Sequence, residues 1–168
     1  EWQLNGKHSV IAENMTFHDI EEAGSSELSS RIVGEDGVSE SFLVTGNNAV
    51  TVGSVKFDNI HEVIAAAGGD DRVEAAAAVE WQLTGGLRGL IAQQVTFRDV
   101  EAAQHCSGVS GYSRITGSNR ADNFNVVGLH EIVANGVRIS DVDRVDGGTH
   151  AGGRDVLMSS NVESWQLS

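Results

Sequence analysis

The chain has 168 residues, 20 of them glycine and none proline, and a net charge of −13. That acidity argues against nucleic acid, which requires a basic face to neutralise phosphates, and equally against anionic membrane surfaces. No apolar run approaches bilayer length, and Cys106, the sole cysteine, cannot form an intrachain disulfide. We expect it as a small buried hydrophobe.

The first element is the strand in "EWQLNG" at the start of the chain, and the phrase returns as "EWQLTG" at 80–85 and "ESWQLS" at 163–168. Trp2, Trp81 and Trp165 thus stand about 80 residues apart. Each unit contains a weaker echo of itself, "FLVTGNNAVTVGSVKFDNIHEV" (42–63) and "FNVVGLHEIVANGVRISDVDRV" (124–145). Residues 1–168 therefore form one domain of half-repeats 2–41, 42–80, 81–123 and 124–164, and residues 165–168 open a fifth strand.

Within a half-repeat the order is constant. An aromatic (Trp2, Phe42, Trp81, Phe124) is followed by an aliphatic (Leu4, Val44, Leu83, Val126) and then by a glycine (Gly6, Gly46, Gly85, Gly128) expected at a corner with φ > 0. An alternating strand comes next, with Met15/Phe17, Val55/Phe57, Val95/Phe97 and Val137/Ile139 on its buried face. Two residues beyond the second of each pair stands Asp19, Asn59, Asp99 or Asp141. The second part is looser and carries a Gly-Asp turn before a short apolar run, as in "GGDDRV" (68–73) and "GRDVL" (153–157). The alanine-rich 72–81 run suits a helix by composition, but its place in the repeat predicts strand or turn.

A unit of this kind cannot bury its apolar face alone, whereas stacked copies bury a continuous core. The expected fold is all-β, a parallel β-solenoid of four half-repeats of about 40 residues, or two units of about 80. Equivalent side chains would stack as core ladders, Trp2/Phe42/Trp81/Phe124 and Phe17/Phe57/Phe97/Ile139. At about 25 cal/mol per Å² each aromatic rung would contribute a gross ~4–6 kcal/mol. The rival is a pair of β-sandwich modules of about 80 residues, which has no need of a half-repeat in matching phase.

The pattern W-x-L-x-G … V-x-F-x-D-I-E-x-V … G-G-D-D-x-V resembles the Gly/Asp-rich tandem repeats of very large secreted bacterial surface proteins and adhesins, distantly akin to haemolysin-type (RTX) repeats. The resemblance covers nearly the whole chain. It implies a β-solenoid, export to the cell surface, and an adhesive or structural role. The RTX nonapeptide G-G-x-G-x-D-x-U-x is nowhere intact, so calcium binding does not carry over with it.

Stacked Asp19, Asn59, Asp99 and Asp141 offer oxygens that suit Ca²⁺, but an Asn interrupts them and no second carboxylate recurs, so we read them as turn caps. The Gly-Asp turns place Asp36, Asp70, Asp71 and Asp155 as an alternative Ca²⁺ set. The six histidines fall at different repeat phases and predict no metal cluster. An enzyme reading, a β-helix acting on polysaccharide, would use Glu21, Glu101 and Asp143 beside the phase of His61. These recur with the repeat, so they predict a solubilising surface. The expectation is a non-enzymatic, extracellular structural protein without a required cofactor. Trp2 and Leu4 of one copy would meet Trp165 and Leu167 of the next, head to tail. Matrix or cell-surface polysaccharide is the other partner class considered.

Overall fold

The structure is a computed structural model and describes residues 1–5, 9–12, 15–18, 22–24, 30–77, 79–106, 113–149 and 154–159. Twenty strands and no helix occupy the described residues. The first half-repeat holds β1 (Trp2–Leu4), β2 (Ser9–Ala12), β3 (Met15–His18), β4 (Glu22–Gly24) and β5 (Ser30–Val33). The second holds β6 (Ser41–Gly46), β7 (Ala49–Val52), β8 (Val55–Asp58), β9 (Ile60–Ile64) and β10 (Arg72–Ala75). The third holds β11 (Glu80–Leu83), β12 (Leu90–Ala92), β13 (Val95–Arg98), β14 (Ala102–His105) and β15 (Arg114–Thr116). The fourth holds β16 (Asn123–Gly128), β17 (Glu131–Ala134), β18 (Val137–Ser140), β19 (Arg144–Asp146) and β20 (Val156–Ser159). The 72–81 run is strand at both ends, as its repeat phase predicts.

These strands build a β-solenoid of two ten-stranded sheets, in the orders β3-β2-β1-β5-β9-β13-β12-β11-β15-β19 and β4-β8-β7-β6-β10-β14-β18-β17-β16-β20. Each half-repeat opens with a three-stranded antiparallel meander in one sheet. It then places one strand in the opposite sheet and returns one strand to the first. The returning strand pairs in parallel with the meander's opening strand, giving Trp2↔Ile32, Phe42↔Val73, Trp81↔Ile115 and Phe124↔Leu157. Each half-repeat thus crosses between the sheets three times, an odd number, so the next meander begins in the other sheet.

That parity overturns the expected core ladders. Trp2 and Trp81 belong to one sheet, Phe42 and Phe124 to the other, and the four never stack on one another. The aromatics meet across the core instead. Trp2 packs edge-on against Phe57 at 6.2 Å and Phe42 against Phe97 at 6.4 Å, so the opening aromatics of the first two half-repeats face the third strand of the next, while Trp81 lies 6.2 Å from the His105 ring of its own half-repeat. Phe42, Phe57, Phe97, Trp81, Phe124 and Ile139 are buried, and Trp2 is partly buried against the core. Phe17 places its backbone in β3 opposite Val10. Met15, expected to face inward, is 57% exposed on that outermost strand of its sheet.

Period-two alternation does what it should elsewhere: Glu80–Leu83 alternates exposed and buried, and Val55, Val95 and Val137 are all buried. The repeated glycine behaves otherwise than expected. Gly46 and Gly128 close their strands at a bulge without a positive φ, and Gly85 alone of the described three is left-handed, at φ 77°. Close approach is what demands glycine at Gly69, where a methyl group would overlap the Val38 carbonyl of the adjacent coil. Cys106 is half-buried rather than buried, its Sγ 3.9 Å from Glu74 Oε2, and burial followed by that carboxylate raises the thiol pKa.

Candidate functional site

The recurrent polar groups of a solenoid sit where the chain crosses from sheet to sheet, and here two sets of them hold the coils together. The first contains three of the four turn residues named above. Asn59, Asp99 and Asp141 all adopt a left-handed backbone, with φ of 61°, 60° and 61°, a conformation that Asn and Asp tolerate better than other side chains. The next residue then turns its N–H into the hairpin of the same half-repeat. Ile60 donates to the Asn48 carbonyl at 2.8 Å, Val100 to that of Arg88 at 3.2 Å, and Val142 to that of His130 at 2.9 Å. Asn48, Arg88 and His130 are themselves left-handed, each at φ 55°. Asn48 donates its side-chain amide to the Ile60 carbonyl, and the Asn48 N–H reaches the Gln93 carbonyl of the next half-repeat.

These Asx residues do not form one column. Asn59 and Asp141 lead from the second sheet to the first, whereas Asp99 leads from the first to the second. Within each sheet the crossing strands run parallel, so the two directions of crossing lie at opposite edges. Asp19 lies outside the described residues, as do Glu21, Trp165 and Leu167.

The second set is a run of carboxylates standing just before the strands. Each accepts a backbone N–H from the coil beneath: Glu40 N–H donates to Asp71 Oδ1 at 2.8 Å and Asp71 N–H to Glu101 Oε2 at 2.7 Å. Ser113 N–H donates to Asp143 Oδ2 and Asp122 N–H to Asp155 Oδ1, both at 3.0 Å. The corresponding carbonyls accept in turn, Arg72 N–H on Glu40, Ala102 N–H on Asp71 and Val156 N–H on Asp122. The side chain thus continues the ladder one rung past the strand end, where a backbone donor would otherwise be left unpaired.

This arrangement places the residues named in the metal and enzyme readings. Asp71 and Asp155 stand before β10 and β20, with four strands between them, and Asp36 and Asp70 are exposed, so the structure does not bring the four together. Among the described residues no group of three or more His, Cys, Asp or Glu is arranged to hold a metal ion. Glu101 and Asp143, expected as solvating residues, are coil-to-coil caps; Glu101 also pairs with Arg88, and Asp143 Oδ1 lies 3.6 Å from His130 Nδ1.

Stacking carboxylates has an electrostatic cost. Burial, then the Asp71 and Glu35 charges, pushes Glu40 up to about 7 against the opposing Glu35 N–H bond. Asp71, 1% exposed, is raised by burial and then by Glu101 and Asp70. Glu40 Oε2 and Asp71 Oδ2 are buried without a hydrogen-bond partner. On the outer faces the coils are tied by cation–carboxylate pairs such as Arg98 Nε to Glu62 Oε1 at 2.6 Å and Arg114 to Asp146, each worth at most about 1 kcal/mol when exposed.

Among the described residues the sheets end in edge strands, β3 and β4 at one end and β19 and β20 at the other. On β20, Val156, Leu157 and Met158 are 40%, 52% and 48% exposed, whereas the residues equivalent to Leu157 in two inner coils, Val73 and Ile115, are fully buried. Comparison with protein-family models, with curated proteins and with solved structures gives no match to this chain.

Proposed function

We propose that the chain is a non-enzymatic structural rod, a repeat segment of an extracellular fibre or adhesin stalk at a cell surface, extended end to end by copies of itself. The observation that supports this is the apolar exposure of β20, an edge strand among the described residues. A parallel strand pairs with β16 there, yet presents to solvent an apolar side chain that inner coils bury. An edge strand with an apolar stripe is a template for another strand, and a heterologous contact that does not close yields a filament. The carboxylate caps favour the same reading, because they make each coil's ladder depend on the next coil.

The test is negative-stain electron microscopy across a concentration series, with Leu157→Lys alongside. Thin fibres that lengthen with concentration, and that the lysine shortens, are the expected result. A monodisperse single-chain particle at high concentration would sink the reading.

A further inference from the structure

The inner coils show which strand belongs beside β20. Each returning strand before it pairs in parallel with the fourth strand of the following half-repeat, β5 with β9, β10 with β14 and β15 with β19. The register is constant: Ile32 stands opposite Val63, Val73 opposite Ala103 and Ile115 opposite Val145. Leu157 is the equivalent residue of β20, because it pairs with the opening aromatic of its half-repeat as those three do. Of the four fourth strands, β9, β14 and β19 have a returning strand beside them, and β4, among the described residues, has none. The other sheet repeats the argument. β4, β9 and β14 pair on their far side with the third strand of the following half-repeat, β8, β13 and β18. β19 ends its sheet without one, and the remaining third strand, β3, ends the same sheet at its opposite end. Burial agrees at both ends. Leu157 is 52% exposed where Val73 and Ile115 are fully buried, and Met15 of β3 is 57% exposed where Val55, Val95 and Val137 are buried.

We propose that a second copy of this chain docks here through its first half-repeat, its β4 pairing in parallel with β20 and its β3 with β19. This rests on the end-to-end reading above and fixes the contact it would use. Four half-repeats are an even number, so the exchange of sheets at each step brings the sheets of the second copy into line with those of the first. A β20-to-β20 contact would set two returning strands side by side, a pairing that occurs nowhere among the described residues. Ala23 corresponds to Val63 and Ala103, since the three pair with Phe57, Phe97 and Ile139. The inner register therefore sets Leu157 opposite Ala23 of the second copy, and Val156 opposite its Glu22. In the β5–β9 pair the positions of Val156 and Glu22 are held by Arg31 and Glu62.

The experiment is sedimentation of the purified chain across a concentration series, with a charge-exchange set at that pair: Val156→Arg, Val156→Glu, Val156→Glu with Glu22→Arg, and Val156→Arg with Glu22→Arg. Val156 and Glu22 are both exposed, and circular dichroism checks that the variants fold. Val156→Arg should assemble at lower concentration and Val156→Glu at higher, with Glu22→Arg restoring the latter. Opposite- and like-charged combinations should differ by about threefold or more in the concentration of half-assembly. The last variant separates pairing from bulk charge: it brings the net charge of −13 nearest to zero, yet should assemble less readily than Val156→Arg. Assembly that follows bulk charge, or ignores these substitutions, would overturn the β20–β4 junction and leave the end-to-end reading standing. Closed pairs of chains that do not extend, or single chains at every concentration, would overturn both.

Discussion

Two kinds of acidic residue do different work in this molecule, and substitution should separate them. Asp99 and Asp141 are chosen for their backbone, at φ 60° and 61°. Replacing either by Ala removes the short polar side chain that makes the left-handed region tolerable and should cost up to about 1–2 kcal/mol, whereas Gly should cost a few tenths; urea unfolding of the two series distinguishes them. Glu40 is chosen for its side chain, which caps the Glu35 N–H while buried. Its pKa is higher folded than unfolded, so its contribution is full below the ordinary value of 4.5 and is lost as pH rises through about 7. The Asp71 shift has the same sign. Asp146 has the opposite one: it is lowered, with the Arg144 hydrogen bond the largest cause, and its contribution is lost as pH falls through its folded value. Stability should therefore peak on the mildly acidic side. Glu40→Gln should flatten the decline between about pH 5 and 8, raising stability at pH 8 by on the order of 2 kcal/mol. A thermal melt series across that range reads the result; a wild-type chain that gains stability over it would refute the assignment.

At the scale of the strand, the meander is the unit that fixes the core. Phe97 lies on its inner strand, fully buried, paired with Val63 on one side and packed against Phe42 across the core. Phe97→Ala should cost about 3–5 kcal/mol, and Met15→Ala, at 57% exposure, should stay within about 0.5 kcal/mol; chemical denaturation of both variants checks the contrast. The all-β class and the buried face of each alternating strand were legible, because period-two alternation and left-handed Asx corners are local signals. The neighbour relations were not. Similarity between "WQLNG" and "FLVTG" says that two segments are equivalent, not that they touch. Their contact depends on how many strands intervene, and hence on recognising both hairpins in each meander. "NNA" at 47–49 and "ANGV" at 134–137 carried that signal as turn dipeptides, but the matching turn at Gln93–Gln94 hides it behind two ordinary residues with φ of 47° and 66°. The carboxylate caps were illegible for a related reason. Asp71 meets the Glu40 N–H because one coil spans about 30 residues, a distance different from the repeat of about 40.

For the molecule as a whole, stability should be distributed rather than centred, since each coil touches only its neighbours. On the end-to-end reading proposed above, the next coil would cover Leu157 as Val145 covers Ile115. The odd count of crossings per half-repeat reaches further than the core. Exchanging the two sheets at every step is a rotation of about half a turn about the long axis combined with an advance along it, so the rod has the symmetry of a twofold screw. Any surface feature tied to the repeat therefore points to alternate sides in successive half-repeats and returns to its own side only after two. Gain or loss of a single half-repeat would swing everything beyond it to the opposite side of the rod, whereas gain or loss of a pair would only move it outward. Duplication in pairs, which is how the Trp units of this chain are written, is the change in length that preserves heading.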